Sequence, residues 1–173
     1  MNSVGLWQLS GFAFTSLFGT LLHFLYEWLG SPVWIAPFSG VNESTWEHMK
    51  LLFWPMLVFA IVQSFFFRDR EDFLCVKLRG ILVGLSLIPI LFYTYNGVIG
   101  HSPDWINIAI FFISAAAAYI YEAHLFKKEP NPCKSRWLPV ALIATIALLF
   151  VIFTFFTPEI GIFEDPLTRS YGI

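Results

Sequence analysis

"GLWQLSGFAFTSLFGTLLHFLYEWL", residues 5–29, carries no charge until Glu27. Twenty-five residues of helix rise about 37 Å, enough to cross the ~30 Å hydrocarbon layer of a bilayer. The rest of the chain agrees with that reading. Of its 173 residues 57% are hydrophobic and only 13% charged, where soluble domains carry about 25% charge. A soluble domain of this size cannot hide so much apolar surface in one core. The class is an all-α integral membrane protein.

Five runs are long enough to span: 5–29, 44–67, 79–99, 104–125 and 137–157. They show no two-residue alternation, so a barrel is excluded. Their separators are polar or rich in helix breakers: "GSPVWIAPFSGVN", "RDREDFLCVK", "GHSP" and "KKEPNPCKSR". The expected architecture is one domain, residues 1–173, a five-helix bundle whose tail 158–173 folds over one face. No basic segment precedes the first apolar run, so no cleavable leader is expected.

Eight of the ten Lys and Arg residues lie in or beside the second and fourth separators; the first and third have none. The positive-inside rule then places those two loops and the N-terminus in the cytoplasm, and the C-terminus outside. Cys75 and Cys133 fall near the basic loops, where thiols stay reduced, so no disulfide is expected. A net charge of −2 speaks against a nucleic-acid partner. The partner is the lipid bilayer, with self-association into a homo-oligomer as an open expectation.

This orientation puts three of the four histidines, His23, His48 and His101, at the outer level. Ser16, Thr20, His23 and Glu27 form one helical stripe on the first span; the hydroxyls and Gly19 suit helix packing. Ionisable groups inside a span tend instead to face an interior site. In "VNESTWEHMK", residues 41–50, Ser44 and Glu47 fit a capping box, and Asn42 and Glu43 suit the positive helix end. His48 and Lys50 need another reason. Glu43, Glu47 and Lys50 share a face on which an ion pair can form. Asp104 either caps the fourth span or joins the cluster. Trp46, Tyr95 and Asn96 are supporting groups or interfacial residues, and Asp165 and Tyr171 belong to the tail. On the cytoplasmic side, Glu122 and His124 read as interfacial groups near lysines.

Three segments, "TSLFGTLLHFLYEW", "VNESTWEHMKLLFWP" and the terminal "DPLTRSYGI", resemble a family of small bacterial integral membrane proteins known only as a domain of unknown function. Its pattern reads G-T-x-x-H-x-x-Y-E-W, then P-V-N-E-S-x-W-E-H-x-K, then D-P-x-T-x-x-Y-G-I. The resemblance covers the whole chain and implies a multi-pass protein of the bacterial cell membrane. It singles out His23, Tyr26, Glu27, Asn42, Glu43, Trp46, Glu47, His48, Lys50, Asp165, Pro166 and Tyr171, and carries no activity. The chain departs from it at Gly40, where proline is expected, and at Arg169, where glycine is expected.

Imidazoles and carboxylates together suit a divalent ion such as Zn²⁺. The leading expectation is therefore a metal-dependent membrane hydrolase acting on a lipid or membrane-proximal substrate. Its metal ligands would come from His23, His48, His101, Glu43 and Asp104, with Glu27, Glu47 and Lys50 as catalytic groups. No HExxH motif is present. The alternatives are a transporter or channel for a small ion or solute, a non-catalytic membrane subunit, and a haem protein. Few ionisable groups in the inner half argue against transport.

Overall fold

A computed structural model describes residues 3–100 and 103–173. His101 lies outside the described residues, and so does the side chain of Asp104; their expected roles as ligands are not addressed by the structure.

The chain forms five helices: α1 (Ser3–Trp28), α2 (Thr45–Ser64), α3 (Phe73–Ile99), α4 (Asp104–Phe126) and α5 (Trp137–Phe155). A single 3-10 turn follows at Gly161–Phe163. α1, α3, α4 and α5 are long and apolar enough to cross a membrane, which fits a multi-pass membrane protein. α2 is long enough but is not among them, and the packing explains why. It touches α1, α3, α4 and the 3-10 turn, and its Phe53 ring meets Phe150 of α5. More than half of its residues are buried. A helix shielded by its neighbours can carry Glu47, Lys50 and Gln63 without exposing them to lipid.

The buried face of α1 differs from the expected stripe. Gln8, Gly11, Thr15 and Gly19 are buried, while Thr20 is exposed. Glycine is required at two of these positions by close approach. A Cβ on Gly11 would strike the Tyr119 and Phe59 rings, and one on Gly19 would strike Phe111 and the Leu51 carbonyl. This is the small-residue contact by which membrane helices pack without a hydrophobic driving force. The same face leads, a turn later, to His23.

α3 begins at Phe73, well before the expected start at residue 79. The charged loop hid a small core of Phe73, Val76 and Phe126. Lys77, counted in that loop, is instead inside the bundle and paired with Glu122 of α4 at 2.5 Å. Glu122 is fully buried, so the interfacial reading is corrected: a matched partner lets both charges enter the bundle. This end of the bundle is thus richer in ionisable groups than the separators suggested.

The cysteines require a second correction: Cys75 and Cys133 form a disulfide. The early start of α3 brings Cys75 into its first turn, facing the α4–α5 loop. Those segments are also stitched by Arg70, which pairs with Asp72 and donates to the Phe126 and Lys128 carbonyls. The Asn131 amide donates to Asp72. The Cα atoms lie 6.1 Å apart, inside the range a bridge allows. The compartment argument said nothing about this distance.

At the other end of the bundle the tail lies against α2. Phe163 packs on Trp46, with ring centroids 4.7 Å apart, and Asn42 Nδ2 donates to the Gly172 carbonyl at 3.1 Å. Asp165 folds its own turn, accepting from the Leu167 and Thr168 amides; Tyr171 donates to Glu164 at 3.5 Å. Two tail residues adopt left-handed backbone: Arg169 at φ +60° and Gly172 at φ +70°. The first stands where the resembled pattern has glycine, the residue suited to that region. At Gly172 a Cβ would also meet Thr157 Oγ1 at 2.5 Å. Gly172→Ala is expected to weaken the docked tail by at least about 1–2 kcal/mol, the cost of a side chain in that region. Limited proteolysis should then clip the C-terminal segment faster than in the wild type.

Candidate metal centre

The loop from residue 29 to 44 decides the geometry of this end. It turns at Gly30 and Ser31, both with positive φ, and comes back onto α1. Ser39 is the point of insertion: its hydroxyl donates to the Leu22 carbonyl and accepts from the Tyr26 amide at 2.9 Å. A serine thus sits inside one rung of the α1 ladder, a recognised cause of helix distortion. The Gly40 amide adds a bond to Leu22 O at 3.2 Å, which the proline of the resembled pattern has no N–H to make. His23 lies between Leu22 and Tyr26, so the insertion fixes the backbone that presents it.

Glu47 and Lys50 pin the same loop from below. Lys50 Nζ lies 2.6 Å from Glu47 Oε2 and donates to Ala36 O at 2.7 Å and Thr154 Oγ1 at 3.2 Å. Glu47 Oε2 also accepts from the Val41 amide, and Trp54 Nε1 donates to Pro37 O. Lys50 is fully buried and Glu47 nearly so. Two of the three expected catalytic groups are therefore enclosed and held by the loop. The capping box is half formed: Ser44 Oγ accepts from the Glu47 amide, but Asn42, not Glu47, accepts from Ser44 N.

With the loop so held, Glu43 reaches both histidines. His23 Nε2 lies 3.4 Å from Glu43 Oε1, and His48 Nε2 lies 3.7 Å from Oε2. The imidazole centroids are 5.7 Å apart. His48 Nδ1 donates to the Ser44 carbonyl at 2.9 Å, which fixes the tautomer and leaves the Nε2 lone pair directed at Glu43. Histidine ligands are commonly oriented by such a second bond. One ligand atom from each of the three residues falls within 4.8 Å of the others. A tetrahedral ion with bonds near 2.1 Å separates its ligands by about 3.4 Å, the spacing of the two His–Glu edges. His23, Glu43 and His48 thus form a group able to hold a metal ion.

Two cavities flank His48. A small one of about 10 Å³ is lined by Glu43, Thr45, His48 and Asn107 with Ile88, Phe92, Ile110 and Phe111; that is about the space of one water. The larger, about 180 Å³, runs between α1 and α4 past Gly19, His23, Phe24, Leu51, Phe111 and Phe112. A water-sized space with Glu43 and His48 in its wall and an apolar groove therefore meet at the same imidazole.

The other candidates stand apart from this group. Glu27 is exposed on the last turn of α1. Tyr26 contributes its backbone amide through Ser39. Trp46 packs among Phe150, Phe153 and Phe163. Tyr95 is half-buried on α3, and Asn96 donates to Phe92 O. Asp165 and Tyr171 are engaged within the tail. Ser39 went unnoticed in the sequence, since a lone serine in a loop carries no signal of helix insertion.

Residues 1–173 match a family described as a family of unknown function, DUF6512. No curated protein and no solved structure matches the chain.

Proposed function

Because the chain belongs to that family of unknown function, we propose its activity from the site itself: metal-dependent hydrolysis of a membrane lipid. In this reading α2 is a fifth span, the basic loops face the cytoplasm, and the site opens at the outer leaflet. One observation carries the proposal. Two imidazole nitrogens and a carboxylate, from two helix segments and a loop, converge at metal-ligand spacing beside a water-sized cavity and an apolar groove.

Two histidines and a glutamate with an open position are the donor set of catalytic zinc. Such an ion supplies a Lewis acid and lowers the pKa of bound water toward ~7. The chain's own residues do the rest. Ser44 holds the His48 ring, Ser39 holds the turn of α1 that bears His23, and the Glu47–Lys50 pair holds the loop that bears Glu43. Glu47 and Lys50 are then positioning residues and not acids or bases. Glu27, exposed one turn beyond His23 on α1 and outside the three-residue group, would have to reach the bound water to serve as general base. The groove between α1 and α4 takes an acyl chain and sets the polar head beside the imidazoles.

The test is hydrolysis of a panel of phospholipids and sphingolipids by protein purified in detergent, read by mass spectrometry. Turnover should vanish on chelation and return with zinc. Protein that retains no zinc, manganese or iron after purification and dialysis against the metal sinks the proposal.

A further inference from the structure

At the opposite end of the bundle, four buried polar atoms have no hydrogen-bond partner among the described residues. They are both amide atoms of Gln8, Nε2 of Gln63 and Oε1 of Glu122. Their side chains are at least nine-tenths buried: Gln8 is 4% exposed, Gln63 and Glu122 0%. Buried polar groups without partners are uncommon in folded proteins and point to something that visits them. Within a membrane bundle the alternative, an orphaned amide or carboxylate, is more costly still.

Lys77 joins Gln63 and Glu122 in one neighbourhood, and Gln8 lies one helical turn from Gly11, at its edge. Lys77 Nζ donates to Glu122 Oε2 at 2.5 Å and to Gln63 Oε1 at 3.2 Å. It also lies 5.9 Å from the Phe59 ring centroid and 5.3 Å from that of Tyr119. Those two rings cover Gly11 of α1, the next buried position after Gln8. Tyr119 is capped in turn by Thr15, with the hydroxyls 2.7 Å apart. On the α3 side Gly80 leaves room for the carboxylate: any Cβ there would collide with Glu122. The chain has made a cradle for this group.

The pair is not symmetric. If Glu122 were neutral, Lys77 would keep the Gln63 oxygen and two ring faces, each favourable to an ammonium. Glu122 has Lys77 alone, on one oxygen, and its other oxygen is unmatched. We propose that Glu122 is an intramembrane proton-binding site, distinct from the histidine centre. A proton from water at the basic-loop end adds to the carboxylate to give the neutral acid, and leaves by the same route. Protonation deprives Lys77 of its anion, a cost that the Gln63 oxygen and the two ring faces offset in part; no other bond changes. The other charged or titratable groups near it are few: Tyr119 on α4 itself, and the Arg70–Asp72 pair at the start of α3. Among the described residues, α1 and α2 present Gln8, Thr15 and Gln63.

Infrared difference spectroscopy of the protein in lipid, stepped from alkaline to mildly acid pH, tests this directly. The wild type should gain a protonated-carboxyl stretch that shifts in D₂O and with ¹³C-labelled glutamate. Glu122→Gln should lack the band. Lys77→Gln removes the charge that favours the carboxylate, and should move the band's midpoint up by about one pH unit or more. The proposal is overturned if the wild type shows no such band, or if the band survives Glu122→Gln. It is also overturned if the band is insensitive to the glutamate label, a readout that needs no variant to fold.

Discussion

Replacing His48 with alanine is expected to abolish the metal binding proposed for this site while leaving the helices intact. The ring lies on the rim of the site, 16% exposed, so truncation opens space next to an existing cavity and not in the core. What disappears is one nitrogen of a three-residue donor set. Losing even an outer partner of a metal ligand weakens binding by about 10–100-fold. Removal of a ligand itself should therefore exceed about 100-fold. Elemental analysis after dialysis against trace zinc measures this, with circular dichroism as the fold control. His23→Ala and Glu43→Gln should behave alike, and Glu27→Ala should keep the metal but lose turnover. Acidification should release the metal from the wild type too, because an imidazole coordinates only when neutral. If His48→Ala retains stoichiometric zinc, the centre is elsewhere.

Breaking the Glu47–Lys50 pair should cost several kcal/mol of stability. Lys50→Met leaves a carboxylate buried without its cation, a change of about 3–5 kcal/mol. It also frees the Ala36 carbonyl and the Thr154 hydroxyl, so the loop that carries Glu43 loosens. Thermal unfolding in detergent should show the loss. Metal affinity should fall as well, though no ligand has been touched. The double variant Glu47→Gln with Lys50→Met removes both charges and should recover much of the stability, as replacement of a whole buried pair often does. It should recover less of the metal affinity, because Ala36 O stays unpaired. Equal metal affinity in Lys50→Met and the wild type would show that the pair does not position the site.

The helices are legible in the sequence because lipid demands long apolar runs, and the runs at 5–29 and 137–157 have no other explanation. α2 and the start of α3 show where that logic stops. α2 is wrapped by protein, so its composition answers to its neighbours and not to lipid. Lys77 reads as loop because its partner, Glu122, lies 45 positions away, and no local pattern links them. The metal candidates His23, Glu43 and His48 are visible as polar residues where apolar ones are expected. Their convergence depends on Ser39 entering the α1 ladder, a contact between residues 17 apart that spacing does not encode. Glu47 and Lys50 carry the same signature of polarity in an apolar place, yet they face inward. Sequence marks which residues are unusual, and packing decides whether they meet a substrate or each other.

The bridge between Cys75 and Cys133 doubles as a compass for the whole molecule. Both sulfurs belong to the basic end, the end opposite His23, Glu43 and His48. Disulfides persist on the oxidising side of a cell membrane and are rare on the other. Protein isolated with thiols blocked at lysis therefore reports its own direction of insertion. The bridge and the charge bias point opposite ways: free thiols at that moment would put the basic end in the cytosol and the histidines toward the environment, as the charge bias predicts. An intact bridge would turn the molecule over, and the lipid presented to the histidines would come from the leaflet facing the cell interior.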